Sequence, residues 1–274
     1  MTNQRRDWLP STDSEYLMTV LRVAVGAIFL IGGYKLAFPP DPQALAASYV
    51  DPSTGWISPV FAEAITGQLG LEISTFLRIQ GVIEIALGLL MIAGVFTPVV
   101  AVLVGLMFWS FAVANPVAGQ IRLSRDVALM GFCFAIAVGG AGAASIDERM
   151  RGLGGKLAER RDWVLLIVRL STAYALLASA LFSSGVFANH LNSTLPVGIV
   201  LLLGIALAAG LFPRWMMGMV FLWLLYVVAT NLIGNVGLPG VDSVKREIGL
   251  LAASLVYSLA GPDRWSLPRR RSGG

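Results

Sequence analysis

The chain has 274 residues, of which 56% are hydrophobic and 13% charged, with a formal net charge of +4. This composition, with a mean hydropathy of +0.75, is typical of a polytopic membrane protein and excludes a soluble globular domain. A single cysteine, Cys133, and a single histidine, His190, exclude an intrachain disulfide, a dithiol redox pair and a bis-histidine haem, and the sequence offers no metal-binding motif.

The sequence predicts eight membrane-spanning helices, because eight apolar segments approach the length that crosses a ~30 Å hydrocarbon layer at 1.5 Å per residue. They cover approximately residues 16–38, 77–93, 98–116, 124–144, 163–187, 195–211, 215–234 and 247–259. Between the first two spans, residues 39–72 contain acidic side chains but no lysine or arginine. We expect this connection to form an ordered external cap with a short helix near residues 58–67.

The basic residues of the loops predict the orientation. The most charged internal segment, 149–162, carries Arg149, Arg151, Lys156, Arg160 and Arg161, so the positive-inside rule places it in the cytoplasm. Both termini then fall on the cytoplasmic side of the inner (plasma) membrane, and loop 39–72 is external. The basic residues are thus topology signals within a lipid bilayer and indicate no nucleic-acid partner.

An internal repeat relates the two halves of the chain. An offset of 116 residues carries Gly94 to Gly210, and an offset of 121 carries Arg125-Asp126 to Arg246-Glu247. The sequence therefore predicts an all-α protein made of two fused four-helix bundles, residues 1–148 and 163–274, joined by the basic linker 149–162. Val200 occupies the position of Glu84 in the second half, so we expect the chemical site in the first half.

The first half carries four motifs in a characteristic order. They are Arg22 with Gly-x-x-Lys ending at Lys35, Gly-x-x-Glu-x-x-x-Gly around Glu84, the turn Gly-x-Phe-Thr at 94–97, and Gly-x-Gly-x-x-Ser-x-Asp at 140–147. These motifs resemble the DoxX/DoxD family of four-helix membrane proteins, which includes the DoxD subunit of thiosulfate:quinone oxidoreductase. The resemblance covers residues 16–147 and, in degenerate form, 163–268. It implies a redox-linked function with a quinone as the lipophilic cofactor or substrate.

Glu84 is the main candidate catalytic residue. A carboxylate at mid-membrane costs about 2.5 to 3.5 kcal/mol on insertion scales, so it is expected to face a cavity or a partner. Either it transfers the proton that quinone reduction needs, or it is a buried structural partner of Arg78 or Arg22. Arg22 and Arg169, at equal places in the two halves, are interpreted as structural residues paired with loop acids such as Asp147.

Further polar residues fall near the outer ends of the first four helices, where they form a funnel above Glu84. The candidate substrate-binding residues are Lys35, Arg78, Asn115, Arg125 and Asp126. In the functional interpretation the cations hold a small anion such as thiosulfate, with a quinone head beside Glu84. In the structural interpretation they anchor the helices at the headgroups, and Arg125 and Asp126 form a local pair at a helix start.

Three functions are compatible with the sequence. The first is a redox-linked integral membrane subunit that passes electrons from a small sulfur compound to quinone. The second is a non-catalytic accessory subunit that docks on other membrane or redox subunits through loop 39–72. The third is a small-solute transporter, which the parallel repeat favours but the unequal halves disfavour.

Overall fold

The computed structural model describes residues 11–51, 55–114, 123–151, 157–182, 195–235 and 237–267. In these ranges the regular secondary structure is helical, apart from one isolated bridge between Leu211 and Leu267. The predicted all-α class is therefore confirmed. Asn115, Arg122 and His190 lie outside the described residues.

Eleven α-helices are described. They are α1 (Ser11–Ala37), α2 (Pro42–Val50), α3 (Pro59–Glu63), α4 (Ile73–Ala93), α5 (Thr97–Ala114), α6 (Leu123–Gly139), α7 (Ile146–Arg151), α8 (Leu157–Phe182), α9 (Val197–Ala209), α10 (Pro213–Gly234) and α11 (Leu238–Ala260). A five-residue π-helical turn, Ala64–Gln68, continues α3.

Four of these helices are long and apolar enough to cross a membrane: Tyr16–Ala37, Ile73–Ala93, Arg160–Leu181 and Pro213–Gly234. They coincide with four of the predicted spans. Two shorter helices, Thr97–Phe111 and Val197–Ala209, are also apolar. The structure thus confirms the coarser prediction of a membrane protein in a lipid bilayer.

Helix α11 begins nine residues earlier than predicted, at Leu238 rather than near residue 247. A proline is compatible with the first turn of a helix, because an amide N–H at that position would have no intrahelical acceptor. The prediction was wrong because the charged segment around Lys245 was interpreted as an external loop. In the folded chain this charged segment is helical and lines an internal cavity.

Segment 39–72 contains α2 and α3, and the predicted short helix near residues 58–67 is confirmed by α3 and the π-helical turn. Helix α2 precedes them, and its N-terminus is capped by the Asp41 carboxylate, which accepts hydrogen bonds from the amides of Gln43 and Ala44. A small apolar cluster joins this segment to α1 and α4; it contains Leu36, Ala46, Ile57, Ile65 and Leu77.

Glycines bring α1 and α4 into backbone contact. A Cβ added to Gly81 would lie 2.4 Å from the Ala37 amide nitrogen, and one added to Gly33 would lie 2.6 Å from the Gly81 carbonyl oxygen. Such distances leave no room for a side chain. Glu84 lies on the same face of α4 as Gly81 and Gly88, so this close packing fixes the position of its carboxylate.

Helices of the two halves of the chain pack against each other. Helix α1 packs against α4 of its own half and against α11 of the second half, while α8 packs against α9 and against α6 of the first half. Equivalent turns also share unusual backbone conformations: φ is 70° at Gly94 and 72° at Gly210, and 49° at Phe96 and 42° at Phe212. The turn that follows the second helix therefore has the same shape in both halves.

Two buried arginines hold these turns. Arg22 donates through Nη1 to the carbonyl oxygens of Met91 and Ile92, at 2.6 and 2.7 Å, and through Nη2 to Ala144. Arg169 donates to the equivalent Leu207 oxygen and forms an ion pair with Asp263 at 2.8 Å. The predicted acidic partner is thus present for Arg169.

Arg22 binds backbone carbonyls instead of the predicted partner, Asp147. That carboxylate accepts hydrogen bonds from the amides of Phe96 and Thr97, at 2.9 and 2.7 Å. These amides belong to the turn that begins α5 and need an acceptor. Asp147 therefore stabilises the turn whose carbonyl groups Arg22 binds, by accepting hydrogen bonds from its amides.

Candidate functional site

A cavity of about 810 Å³ lies between α1, α4, α5 and α11, and segment 39–72 supplies part of its wall. Its walls are rich in aromatic side chains: Phe29, Tyr49, Trp56, Phe61, Phe76, Phe108, Trp109 and Phe111. One end is polar and carries both acidic and basic groups. Apolar walls with a few convergent polar groups are typical of sites for small organic molecules.

The cavity brings together three of the residues selected from the sequence: Glu84, Lys35 and Arg125. Asp126 lies behind the wall, where it binds Arg246. Arg78 is exposed and does not line the cavity. The predicted funnel is therefore assembled in part, without Arg78.

The Glu84 carboxylate is 5% exposed and lies at the polar end of the cavity. Its Oε1 accepts a hydrogen bond from Gln80 Nε2 at 2.8 Å, one helical turn earlier. Within the described part of the chain, no ion pair joins Glu84 to Arg78 or Arg22. Glu84 is thus not the ion-pair partner of Arg78 or Arg22 that the structural interpretation expected.

Oε2 of Glu84 faces Lys245 across the space above Gly32. A Cβ placed on Gly32 would lie 3.0 Å from Glu84 Oε2 and 3.3 Å from Lys245 Nζ, so these two atoms are at most about 6.3 Å apart. They form no ion pair with each other, and Lys245 pairs with Asp242 instead. One oxygen atom that accepts hydrogen bonds from the ammonium and from a protonated Glu84 carboxyl group would span up to about 5.6 Å. The spacing suits a single bridging ligand oxygen.

Two buried ion pairs connect the halves behind this site. Arg125 Nη1 binds Glu247 Oε1 at 2.8 Å, and Arg246 Nε binds Asp126 Oδ1 at 2.8 Å. Each arginine thus binds the acid of the equivalent dipeptide in the other half. The local Arg125–Asp126 pair considered from the sequence is not formed. The Arg125 guanidinium instead binds Glu247, which α11 places opposite it.

The remaining charges form a chain along the cavity wall. Asp242 accepts from Lys35 at 2.7 Å and from Lys245 at 2.5 Å. Among the described residues, the polar end and the layer directly behind it contain four basic side chains and, besides Glu84, three acids: Asp242 on the wall, and Asp126 and Glu247 behind it. These groups balance only when Glu84 is ionised, and its protonation leaves one net positive charge. With its neighbours counted at their usual charges, the protonation of Glu84 decides whether this cluster is neutral or positive.

Segment 39–72 contributes two aromatic residues beside these charges. The Trp56 ring lies 4.7 Å from the Arg246 guanidinium carbon, at a distance suited to a cation–π interaction. Desolvation of Tyr49, followed by the nearby carboxylates of Glu84 and Asp242, raises the pKa of its phenol. Tyr49 thus keeps its proton at neutral pH and can donate a hydrogen bond into the cavity.

Sequence reasoning missed the contribution of the second half. Asp242, Ser243, Lys245 and Arg246 all line the cavity, although the second half was expected to be scaffold. Their spacing was the available signal: Asp242 lies three and four residues before Lys245 and Arg246, which places all three on one helical face.

No protein-family model, curated protein or solved structure matches this chain. Within the described ranges there is no group of three or more histidine, cysteine, aspartate or glutamate residues that could hold a metal ion. Cys133 is fully buried. The site is thus defined by its geometry, a cavity with aromatic walls and a Glu84–Lys245 gap at its polar end.

Proposed function

We propose that this protein is a redox-linked integral membrane subunit that binds a quinone in the aromatic cavity and couples its reduction to proton transfer at Glu84. One observation carries the proposal: the Glu84 carboxylate and the Lys245 ammonium face each other at a spacing that one oxygen atom can bridge. A quinone has a flat ring for the aromatic walls and a carbonyl oxygen that can accept hydrogen bonds at this position from Lys245 and from protonated Glu84. Gln80 orients the carboxylate from its other side.

The proposed chemistry balances as one quinone, two electrons and two protons giving one quinol. The Lys245 ammonium donates a hydrogen bond to one carbonyl oxygen of the quinone and stabilises the negative charge that develops there during reduction. Glu84 then transfers one proton to this oxygen, and the second quinone oxygen takes its proton from water. The carboxylate that remains is balanced by Lys245, so loss of the proton restores the neutral charge count of the site.

A small sulfur compound is the proposed electron donor, in line with the resemblance to the DoxX/DoxD family. Joining two thiosulfate ions through a new S–S bond releases two electrons and no protons. Both protons of the quinol would then have to come from outside the donor. Lys35, whose side chain is 48% exposed, offers a cation on the cavity wall for an anionic donor.

We further propose the predicted topology of eight spans in two repeated units, with cytoplasmic termini and an external 39–72 segment in the plasma membrane. The matching conformations at Gly94 and Gly210 support the repeat. So do the equivalent roles of Arg22 and Arg169. The interleaved helix pairs mean that the units would form one joint bundle rather than two separate ones.

The test is quinone binding and reduction by the purified protein in lipid nanodiscs. Thiosulfate is the donor and decylbenzoquinone the acceptor. We expect Glu84→Gln to reduce turnover at least about 100-fold, since general acid catalysis typically contributes that much. Glu63→Gln is the matched control, because Glu63 is an exposed acid in the external segment, and it should leave turnover unchanged.

A second variant tests the gap itself without removing a charge. Gly32→Ala adds a methyl group within 3.0 Å of Glu84 Oε2 and 3.3 Å of Lys245 Nζ, in the space assigned to the ligand oxygen. We expect it to weaken quinone binding about tenfold or more, measured by titration of bound quinone. Unchanged binding in Gly32→Ala together with unchanged turnover in Glu84→Gln would refute the proposed function.

A further inference from the structure

A groove on the membrane-facing side lies next to the cavity. It occupies about 370 Å³ between α4 and α5 and is lined by Ile83, Leu87, Leu103, Leu106, Met107 and Ser110. Ile83, Met107 and Ser110 also line the cavity. The two spaces therefore share a wall along the α4–α5 hairpin.

The groove is apolar and exposed. Ile83, Leu103 and Leu106 are 47%, 45% and 53% exposed, although they are large hydrophobic residues. The cause lies in α4, which turns its Gly81, Glu84 and Gly88 face onto α1 and leaves the Ile83 side uncovered by the described residues. In a bilayer this side of α4 contacts acyl chains.

The other boundary of the cavity is different in character. The external segment covers it with the aromatic residues Tyr49, Trp56 and Phe61. A ligand approaching from water would have to pass this aromatic and charged cover. A ligand approaching from the bilayer meets only the apolar α4–α5 groove.

We infer that the cavity exchanges its ligand sideways with the bilayer between α4 and α5, and that this ligand is an amphiphile whose alkyl or isoprenoid tail lies in the Ile83–Leu106 groove. The inference rests on the proposed function for the polar head, which occupies the Glu84–Lys245 gap. It adds the chemical class of the tail and the route of entry. The shared wall of the cavity and the groove carries it.

The experiment uses the full chain in nanodiscs and a benzoquinone with a decyl tail that ends in a photoreactive diazirine. After illumination, mass spectrometry locates the label. We expect it on peptides of α4 and α5 that contain Ile83, Leu103 or Leu106, with loss of labelling when excess decylbenzoquinone is present. The readout requires no turnover, so it is independent of the proposed reaction.

Leu106→Trp fills the groove from the α5 side. We expect it to raise the dissociation constant of decylbenzoquinone about tenfold, the equivalent of roughly two methylene groups losing their contacts, and to leave binding of tail-less benzoquinone unchanged. Ile83→Trp narrows the groove from the α4 side and provides a second variant. Leu222→Trp is the matched control, because Leu222 is the equivalent residue of the second half and is 64% exposed.

The outcomes separate the two proposals. Quinone reduction without labelling of α4 or α5, or equal effects of Leu106→Trp and Leu222→Trp, would overturn lateral entry and leave the proposed function standing. Labelling of the groove that responds to Leu106→Trp, without any quinone reduction, would support the amphiphile site and refute the redox function.

Discussion

Removing Arg125 from its buried ion pair should strongly destabilise the protein. Arg125 and Glu247 are joined at 2.8 Å, and their side chains are 7% and 1% exposed. Glu247 Oε2 is buried without a hydrogen-bond partner in the described part of the structure. In Arg125→Met the remaining carboxylate would lose its ion-pair partner. Removing one partner of a buried pair costs about 3 to 5 kcal/mol, or roughly 150- to 5,000-fold in the unfolding constant.

The assay is reversible unfolding in mixed micelles with increasing sodium dodecyl sulfate, followed by tryptophan fluorescence. The double variant Arg125→Met/Glu247→Leu should recover most of the loss, because replacing a whole buried pair with apolar residues is often close to neutral. The double-mutant cycle then yields the coupling energy across the halves. Lys35→Met is the matched control: Lys35 is 48% exposed, so its pair should contribute less than about 1 kcal/mol.

Two results would refute this reasoning. One is a loss of less than about 1 kcal/mol in Arg125→Met, which would mean that Glu247 finds another partner or water. The other is a double variant as unstable as Arg125→Met alone, which would mean that packing around the arginine stem, rather than the charge pair, connects α6 to α11.

Two other changes test the packing of the helices and turns. Gly81→Ala should destabilise the protein by about 1 to 3 kcal/mol in the same unfolding assay, because the added Cβ would lie 2.4 Å from the Ala37 amide nitrogen. The control Gly218→Ala should be neutral or slightly stabilising, because nothing lies within 4 Å of the added Cβ. Equal effects of the two substitutions would contradict the close approach of α1 and α4. Arg22→Lys should cost about 2 kcal/mol or more, because a single ammonium cannot reproduce the guanidinium contacts with Met91, Ile92 and Ala144; a variant as stable as the wild type would contradict this role.

Local features were predictable from the sequence because neighbouring residues determine them. The turn at Gly94 and its equivalent at Gly210 follow from the repeated Gly-x-Phe pattern, and both adopt left-handed conformations. The helix near residues 58–67 follows from the serine and proline that begin it. Glu84 was selected because burial of a carboxylate in a membrane needs a compensating environment, and it does line a cavity.

Long-range features were not predictable in the same way. Arg125 and Glu247 are 122 positions apart, and both adjacent carboxylates, Asp126 and Glu247, are chemically suitable partners for the arginine. Only the packing of α6 beside α11 decides between them. Lys245 was missed for a related reason: a charged stretch is equally compatible with a solvated loop and with a helix face that lines a cavity. Hydropathy alone does not distinguish these two environments.

The crossed pairs Arg125–Glu247 and Arg246–Asp126 have a consequence for biosynthesis and evolution. When the ribosome has made only the first half, Arg125 and Asp126 are already synthesised while their counterparts are not. The two ion pairs can therefore form only after the second half has been made. In the proposed duplicated arrangement, two separate copies would satisfy the same contacts as a symmetric dimer with two identical acids. Fusion would fix the stoichiometry at one of each half. In that arrangement the second unit could carry Val200 in place of the acid, while its last helix supplied Lys245 to the site beside Glu84.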